Sequence, residues 1–453
     1  MNHLLALWLI CAIPSYNSGS ISSKNASYDG NGLILKGDVV LDHSLGIMEA
    51  EEASLQKQEV GQTFPFSLIH LEKHVSLQLQ NDAKLNCDRA DLDFSTLKGA
   101  LTAQDRVIYT DTPKKLQLLG KTIDLQFIKQ NETTYDVQNV VAHDNVELTY
   151  ANDYVLTTDA ILYQKELVDH DTREFRSHLS SHGQEKSHLI YQGNQVIADR
   201  FNLDIVHMRL LLTNPQGTLP SLSKGVVQFT SESLMWDHEK SLLVLKGDPR
   251  VLEPHLGTLA SNQEIHLFQS NQQLVGFKCF GKTTLTYLNE HQLISHGTIT
   301  FDRDKHTGYA ESPLVNGTVP EGLQLYYEEG EMGVFADKAT VEYTETQDAF
   351  SPVSLALKGS VKIFSKTKDR LGVADRLTYN PTTRTFILGA DPGKRVIFVN
   401  DLENLRISAQ EIHITEDPAT KKQVVKGVGH VQLALSSEEQ FILNKHFSHE
   451  YTP

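Results

Sequence analysis

Short runs in which apolar and polar residues alternate recur along the chain, and the clearest of them covers residues 33–55. Leu35, Val39 and Leu41 fall on alternate positions of this run, and charged residues fall between them. A period of two is typical of a β-strand with one buried face and one solvated face. Residues 43–46 have the composition of a turn, so the run predicts two antiparallel strands.

A six-residue phrase lies in the second strand and returns elsewhere in the chain. It has a small residue, then an acidic or polar residue, and apolar residues at its fourth and sixth positions. Its copies cover residues 50–55, 87–92, 198–203, 231–236, 336–341, 374–379 and 409–414, with a looser copy at 157–162. Neighbouring copies start about 35 residues apart, and the longer gaps are close to three such steps, which predicts a structural repeat with some copies eroded.

The first strand of the run also recurs, as an apolar residue followed by Lys-Gly and then Val. Copies lie at 35–39, 245–251, 357–361 and 425–431. A glycine inside a strand usually marks a bulge or a sharp bend, so we expect the strands to turn a corner at these positions. Helical signals are weak, and the best short candidate is 402–407. The chain is therefore predicted to be all-β, built of many short antiparallel strands.

Polar segments suggest where the chain divides. Residues 167–187 are rich in Ser and His, and residues 311–321 are rich in Pro and Gly. The apolar run from Leu4 to Ile13 resembles the core of a signal peptide, although no Lys or Arg precedes it; the alternative is a buried first strand or helix. We expect a signal peptide at 1–20, a first β module at 28–166, a second at 188–310 and a third at 322–440.

Composition narrows the classes of function. The chain has 453 residues and a net charge of −16, and it lacks the basic stripe that nucleic-acid binding requires. No nucleophile elbow, metalloprotease motif, phosphate loop or Cys-x-x-Cys pair is present, so nothing favours an enzyme, and no cofactor or metal is expected. Export would permit a disulfide between Cys87 and Cys279, but their apolar strand contexts favour two buried free thiols.

Two groups of polar residues have the types that bind metals or act as acids and bases. His170, His178, His182 and His188 lie close together, but their spacing fits no ordinary zinc site and favours a solvated loop. The carboxylate pairs Asp91/Asp93 and Asp302/Asp304 could serve a glycosidase. Acidic residues that alternate with apolar ones are more often the solvated face of a sheet.

The apolar faces of the strands are the remaining candidate site. They are expected either to pack as a filled core or to stand apart and hold an acyl chain between two sheets. The lipid-binding candidates that line such a groove, expected to face one way, are Leu35, Val39, Leu41, Met48, Val75, Leu77, Leu357, Val361, Ile363 and Val373.

The repeated unit resembles the organic-solvent-tolerance (OstA-like) family. The resemblance is carried by residues 35–39 with 46–53, by residues 357–379 and, more loosely, by the copy that starts at Leu245. This family includes the periplasmic bridge protein A of lipopolysaccharide transport and the N-terminal domain of transport protein D. The chain departs from the pattern because it is far longer than the usual bridge protein and shows no C-terminal barrel pattern.

The resemblance implies an elongated array of V-shaped β-jelly-roll modules in the periplasm. It implies a non-enzymatic transport function, in which an apolar groove shields the acyl chains of lipopolysaccharide or another glycolipid. Other envelope transport components would be partners through terminal strand edges. The alternative is a structural β-repeat scaffold with a filled core that mediates protein–protein contacts in the cell envelope.

Overall fold

A computed structural model describes most of the chain. The described residues are 20–43, 45–57, 66–80, 82–129, 135–151, 153–169, 174–191, 193–220, 226–254, 257–271, 273–287, 291–345, 350–416 and 423–447. They divide into two units, of which unit 1 comprises Met1–Gln192 and Asp199–Val206, and unit 2 comprises Gly193–Ala198 and His207–Pro453. The predicted signal peptide lies outside the described residues except for Ser20. The division into three modules stays a prediction.

Unit 1 consists of antiparallel strands, most of them long. Its strands are β1 (Ile21–Ser22), β2 (Asn25–Tyr28), β3 (Gly32–His43), β4 (Gly46–Lys57), β5 (Phe66–Leu79), β6 (Ala83–Asp93), β7 (Lys98–Asp111), β8 (Leu116–Lys129), β9 (Tyr135–Tyr150), β10 (Tyr154–Asp169), β11 (Glu174–His182), β12 (Ser187–Tyr191) and β14 (Arg200–Asp204). From β3 to β11 each strand pairs with the next one in sequence.

Unit 2 consists of shorter strands and one helix. Its elements are β13 (Asn194–Ala198), β15 (Arg209–Thr213), β16 (Gln216–Pro220), β17 (Val226–Thr230), β18 (Ser233–Asp237), β19 (Leu242–Lys246), β20 (Arg250–Glu253), β21 (Gly257–Ser261), β22 (Glu264–Ser270), β23 (Gln273–Phe280), β24 (Thr283–Tyr287), β25 (His291–Ser295), β26 (Thr298–Asp302), β27 (Thr307–Glu311), β28 (Leu325–Glu329), β29 (Met332–Ala336), β30 (Lys338–Glu345), β31 (Phe350–Ser365), β32 (Arg370–Asn380), β33 (Thr385–Gly389), β34 (Val396–Asn400), a short 3-10 helix (Asp401–Glu403), β35 (Leu405–Ala409), β36 (Glu411–Glu416), β37 (Gln423–Val428) and α1 (Ser437–Phe447).

The strands of unit 2 form two antiparallel sheets, because hairpins alternate between them along the chain. Sheet I runs β15–β18–β19–β22–β23–β26–β27–β30 and continues through the first half of β31 and the second half of β32 to β33, β36 and β37. Sheet II runs β13–β16–β17–β20–β21–β24–β25–β28–β29 and continues through the second half of β31 and the first half of β32 to β34 and β35. The all-β fold predicted from the alternating pattern is therefore confirmed.

Both recurring sequence marks lie at the corners where the chain crosses between the sheets of unit 2. Gly247 and Gly359 have φ of +74° and +78°, and each is followed by a residue that also has positive φ. The second residue of the six-residue phrase lies against this glycine, since a Cβ on Gly359 would approach the Asp337 carboxylate to 2.3 Å. The Asp337 amide also donates to the carbonyl of Gly359 at 3.0 Å. The two marks are thus the two sides of one corner.

In unit 1 the same corner occurs inside continuous strands. The pairing of β3 with β4 shifts register between Lys36 and Val39, where Gly37 has φ of +79°. Equivalent shifts interrupt the pairing between each of the strands from β4 to β10. An extra residue in one strand lets the buried face continue through the bend. Strands that carry the bend internally therefore run for 11 to 16 residues, longer than the alternating pattern suggested.

The C-terminal helix α1 was not expected. The short helical candidate at 402–407 is not an α-helix, because a 3-10 helix and the start of β35 lie there. Helix α1 begins with a capping box, in which the Ser436 amide donates to Glu439 at 2.7 Å and the Glu439 amide donates to the Ser436 hydroxyl at 3.2 Å. Its Leu443 packs on Ile397 and Val399 of β34. No helix in the described part of the chain is both long and apolar enough to cross a membrane.

Two local expectations can be compared with the structure. The Ser/His-rich segment was expected to be a loop, but Glu174–His182 is a strand that pairs with β10, because its alternate residues include the buried Leu179 and Ser181. The expectation of two buried free thiols is confirmed for Cys87 and Cys279. Burial raises the pKa of the Cys87 thiol to about 12, so it stays protonated at neutral pH.

Candidate apolar cavity

An apolar cavity of about 300 Å³ lies between the two sheets of unit 2. Strands β23, β26, β27, β30 and β31 provide its wall from sheet I, and β24, β25 and β28 provide its wall from sheet II. Its aliphatic side chains include Leu285, Leu293, Val341 and Leu355, which remain partly accessible although they face the interior. Incomplete burial of inward-facing apolar side chains indicates that the two sheets do not close on each other here.

Aromatic side chains form much of the cavity wall. Phe277 stacks on Phe301 with ring centroids 5.4 Å apart, and Phe301 stacks on Tyr343 at 5.1 Å. These three rings come from β23, β26 and β30, which are successive neighbours or near neighbours in sheet I. Stacks of this kind favour fixed positions of the rings, and the Tyr343 hydroxyl also donates to the Asp302 carbonyl at 3.3 Å. This part of the wall is therefore built of packed aromatic rings.

Six lining residues place polar atoms near the strand ends. We call this group the cavity mouth, and it consists of Tyr287, His291, Tyr327, Glu329, Tyr343 and Tyr379. The Tyr327 hydroxyl donates to Glu329 at 3.1 Å. Nδ1 of His291 lies 2.9 Å from the same hydroxyl oxygen, and it is the donor of that bond because the hydroxyl hydrogen is directed at Glu329. The mouth thus carries an ordered hydrogen-bond chain above an apolar interior.

The pKa values of the mouth tyrosines reflect this environment. Burial, followed by the Glu329 charge and hydrogen bond, raises the pKa of Tyr327 well above its ordinary value. Burial and the nearby Glu345 raise the pKa of Tyr343 to about 12. Burial also raises the pKa of Tyr287. All three hydroxyls therefore stay protonated at neutral pH and remain hydrogen-bond donors.

The predicted groove residues are distributed over both units. Those in unit 1, Leu35, Val39, Leu41, Met48, Val75 and Leu77, are at most 2% exposed, and Leu41, Met48 and Leu77 are direct cross-strand neighbours. In unit 2, Leu357 lines the cavity. Val361 and Ile363 are buried beyond the corner of β31, in sheet II. The proposed lipid contacts of all these residues stay a prediction.

Val373 does not share the common face expected for the ten residues. It pairs with Lys362, whereas Val361 and Ile363 pair with Ala374 and Gly372. Successive residues of a strand point to opposite faces of the sheet, so Val373 faces away from Val361 and Ile363. It packs instead against the cluster formed by β34 and helix α1.

The aromatic mouth was not predicted, because a single tyrosine in an alternating strand pattern does not differ from any other inward-facing residue. A signal exists, since an apolar residue, a polar residue and a tyrosine lie at or within two residues of the end of three strands, at 285–287, 341–343 and 377–379. In each case the apolar residue and the tyrosine lie two positions apart and so share the inner face. A tyrosine that recurs at the inner end of strands is a signature of an amphipathic rim.

The other candidate groups have local structural roles. Asp91 bonds to His70 and to Arg89, and the Asp93 carboxylate accepts the amides of the following turn. Asp302 likewise bonds to Lys305. His170 lies outside the described residues, while His178, His182 and His188 lie on or at the ends of strands. Across the described ranges, no group of three or more His, Cys, Asp or Glu is arranged to hold a metal ion.

Comparisons with known proteins give no family assignment. No protein-family model matches the chain, and no curated protein does. Sixteen chains of solved structures match it. One is the crystal structure of LptH, the LptA-homologous periplasmic component of the lipopolysaccharide transport device from Pseudomonas aeruginosa, which is 14% identical over 34% of this chain and 75% of that chain, with a TM-score of 0.14. At this TM-score the likeness decides neither the family nor the function of the chain.

Proposed function

We propose that this chain is a non-enzymatic lipid-binding protein that shields an acyl chain in the cavity of unit 2. The observation that carries the proposal is an apolar cavity of about 300 Å³ whose inward-facing Leu285, Leu293, Val341 and Leu355 are not fully buried. Apolar side chains that stand open to solvent cost free energy, and an apolar ligand between the sheets would recover it.

The expected affinity follows from the same transfer free energy. An acyl chain with about ten buried methylenes would gain about 8 kcal/mol at about 0.8 kcal/mol per methylene. Lost translational and rotational freedom offsets part of that gain. The dissociation constant should therefore be about micromolar or weaker, which suits a carrier that must release its cargo.

The test is displacement of a neutral fluorescent apolar probe, N-phenyl-1-naphthylamine, from the purified protein by amphiphiles with a C12 chain. Leu355→Asp places a carboxylate on the cavity wall at a partly accessible position. We expect this variant to keep its circular dichroism spectrum and to lose at least tenfold in probe affinity, since an ionised group in an apolar site costs several kcal/mol. A protein that binds neither probe nor amphiphile would overturn the proposal.

The matched control is Leu211→Asp. Leu211 is 51% exposed in β15 of the same unit and does not line the cavity. This variant adds the same charge to a strand of the same sheet, and we expect unchanged probe affinity. Equal loss of affinity in both variants would indicate a general effect of charge rather than a site between the sheets.

We extend this proposal to transport of cargo across the periplasm. The cargo would be lipopolysaccharide or another glycolipid, and the partners would be envelope transport components. This extension is supported by the apolar leader and by the sequence resemblance of the repeated unit. Export predicts that the mature N-terminus lies near residue 20, which N-terminal sequencing of protein from the periplasmic fraction would test.

A further inference from the structure

We infer that the cavity mouth selects acyl ligands with an uncharged, hydroxyl-bearing headgroup over ligands with an anionic headgroup. This rests on the proposed function and narrows the proposed cargo to an uncharged glycolipid, since the lipid A of lipopolysaccharide carries anionic phosphate groups. Glu329 is the only carboxylate that lines the cavity, and no Lys or Arg lines it within the described part of the chain. An anionic headgroup would therefore meet like charge at the mouth without a lysine or arginine to neutralise it.

The charges around Tyr343 also disfavour an anionic headgroup. Asp302, Asp304 and Glu345 all lie within electrostatic range of its hydroxyl. The two nearby cations are already bound, because Arg303 Nε donates to Glu345 at 2.8 Å and Lys305 Nζ donates to Asp302 at 2.7 Å. A phosphate or carboxylate would have to break one of these ion pairs in order to gain a partner, so its net gain in Coulomb energy is small.

The polar groups of the mouth suit hydroxyls instead. A carboxylate such as Glu329 accepts hydrogen bonds from hydroxyl groups, and a protonated tyrosine both donates and accepts. Tyr287, His291 and Tyr327 provide such atoms on one side of the mouth, and Tyr343 and Tyr379 provide them on the other. The Tyr327 and Tyr343 hydroxyls already donate to Glu329 and to the Asp302 carbonyl, but the Glu329 carboxylate and the Tyr343 oxygen can still accept hydrogen bonds from a sugar or polyol, which brings no charge to the site.

The test compares two amphiphiles with the same C12 chain, dodecyl maltoside and dodecyl phosphate, each below its critical micelle concentration. Both compete with N-phenyl-1-naphthylamine for the full chain at low ionic strength. We expect dodecyl maltoside to displace the probe at a concentration at least tenfold lower than dodecyl phosphate. Equal potency, or greater potency of the phosphate, would overturn the inference while leaving the lipid-binding proposal intact. Binding of neither amphiphile nor probe would overturn both.

A variant pair tests the role of the bound arginine. Glu345→Gln removes the carboxylate that holds Arg303, so the freed guanidinium should bring the potency of dodecyl phosphate within about threefold of the maltoside. Glu342→Gln is the control, because Glu342 is an exposed residue of the same strand and bonds to Ser354 at 3.1 Å. Its selectivity should match that of the wild type. An unchanged preference in Glu345→Gln, with the probe still bound, would contradict the assigned electrostatic origin.

Discussion

At the scale of single residues, the corners of unit 2 are held by one glycine and one polar side chain from the neighbouring strand. Gly359 combines a φ of +78° with the near contact to Asp337, so a side chain there would be strained twice. Gly330 has a φ of +57° but no atom within 4 Å of a Cβ position. The two glycines therefore separate the conformational cost of a side chain from its steric cost.

We predict that Gly359→Ala destabilises unit 2 by about 2–4 kcal/mol, the sum of a left-handed backbone cost and displacement of the Asp337 carboxylate. Gly330→Ala should cost only about 1 kcal/mol, because only the backbone cost applies. Urea unfolding followed by the fluorescence of Trp236, which is buried in unit 2, measures both. Equal destabilisation by the two variants would show that the contact with Asp337 is unimportant.

His43 provides a residue-scale prediction about pH. Burial lowers its pKa to about 4, and its Nδ1 accepts the Leu45 amide at 3.1 Å. Because the folded pKa is depressed, the unfolded chain takes up the proton first as pH falls below about 6.5. The stability that neutral His43 contributes is thus complete above pH 6.5 and is lost as pH falls towards 4.

The corresponding measurement compares wild type with His43→Gln, which keeps an acceptor and does not titrate. The stability difference between the two proteins, from urea unfolding followed by circular dichroism, should shift by about 1.5 kcal/mol against the wild type between pH 6.5 and pH 5.0. Between pH 8.0 and pH 7.0, where the imidazole is neutral in both states, it should not change. A constant difference across the whole range would contradict the assigned pKa.

At the scale of elements, local periodicity predicted the strands well because the alternation of Leu35, Val39 and Leu41 depends only on one strand and its buried face. The corners at Gly37, Gly247 and Gly359 were predictable for the same reason. Corners without glycine, such as Lys73-His74 and Asp144-Asn145 with positive φ, gave no such mark, and the second of these pairs lies in the stretch between 87 and 198 where copies of the repeat were not recognised. The cavity was not predictable, because its volume depends on side chains from two sheets that are distant in sequence.

Helix α1 was missed although its capping box, Ser436 to Glu439, is visible in the sequence. Arg395 fixes this helix, since its Nε donates to Glu439 at 3.0 Å and its guanidinium also donates to the His430 carbonyl at 2.6 Å. Glu439 is 6% exposed and so serves both the cap and the ion pair in a partly desolvated setting. The helix in turn covers the outer face of β34, whose five residues are all buried.

We predict that Glu439→Ala detaches helix α1, because it removes the cap and leaves Arg395 without its carboxylate. Amides of 437–447 and of β34 should exchange with deuterium at least tenfold faster, while those of β26 and β27 keep their protection. Glu438→Ala is the matched control, since Glu438 lies in the same first turn but is exposed. Unchanged exchange in Glu439→Ala would show that apolar packing of Leu443 alone holds the helix.

At the scale of the whole chain, unit 2 is a repeat in which two hairpins, one in each sheet, form one period. Each hairpin pairs with the preceding and following hairpins of its own sheet, as β18–β19 pairs with β15 and β22 and β20–β21 pairs with β17 and β24. Nearest-neighbour architectures of this kind tolerate the loss of whole repeats better than the loss of part of one. Deletion of residues 233–263 removes β18 to β21 and joins Glu232 to β22, so that β15 can pair with β22 and β17 with β24.

This whole-repeat deletion should fold cooperatively, with a melting temperature lowered by at most about 10 °C, and should still bind the apolar probe because every cavity residue lies beyond it. Deletion of the shorter segment 233–249 removes a hairpin from sheet I alone, so sheet II keeps two strands that no longer have a counterpart opposite them. This smaller change should be the more damaging one, with probe binding and cooperative melting both lost. Thermal unfolding and probe titration of the two deletions test this prediction. In a repeat with a period of two hairpins, the shorter deletion lowers stability more than the longer one does. In a β fold without such a repeat, the loss of stability grows with the number of residues removed.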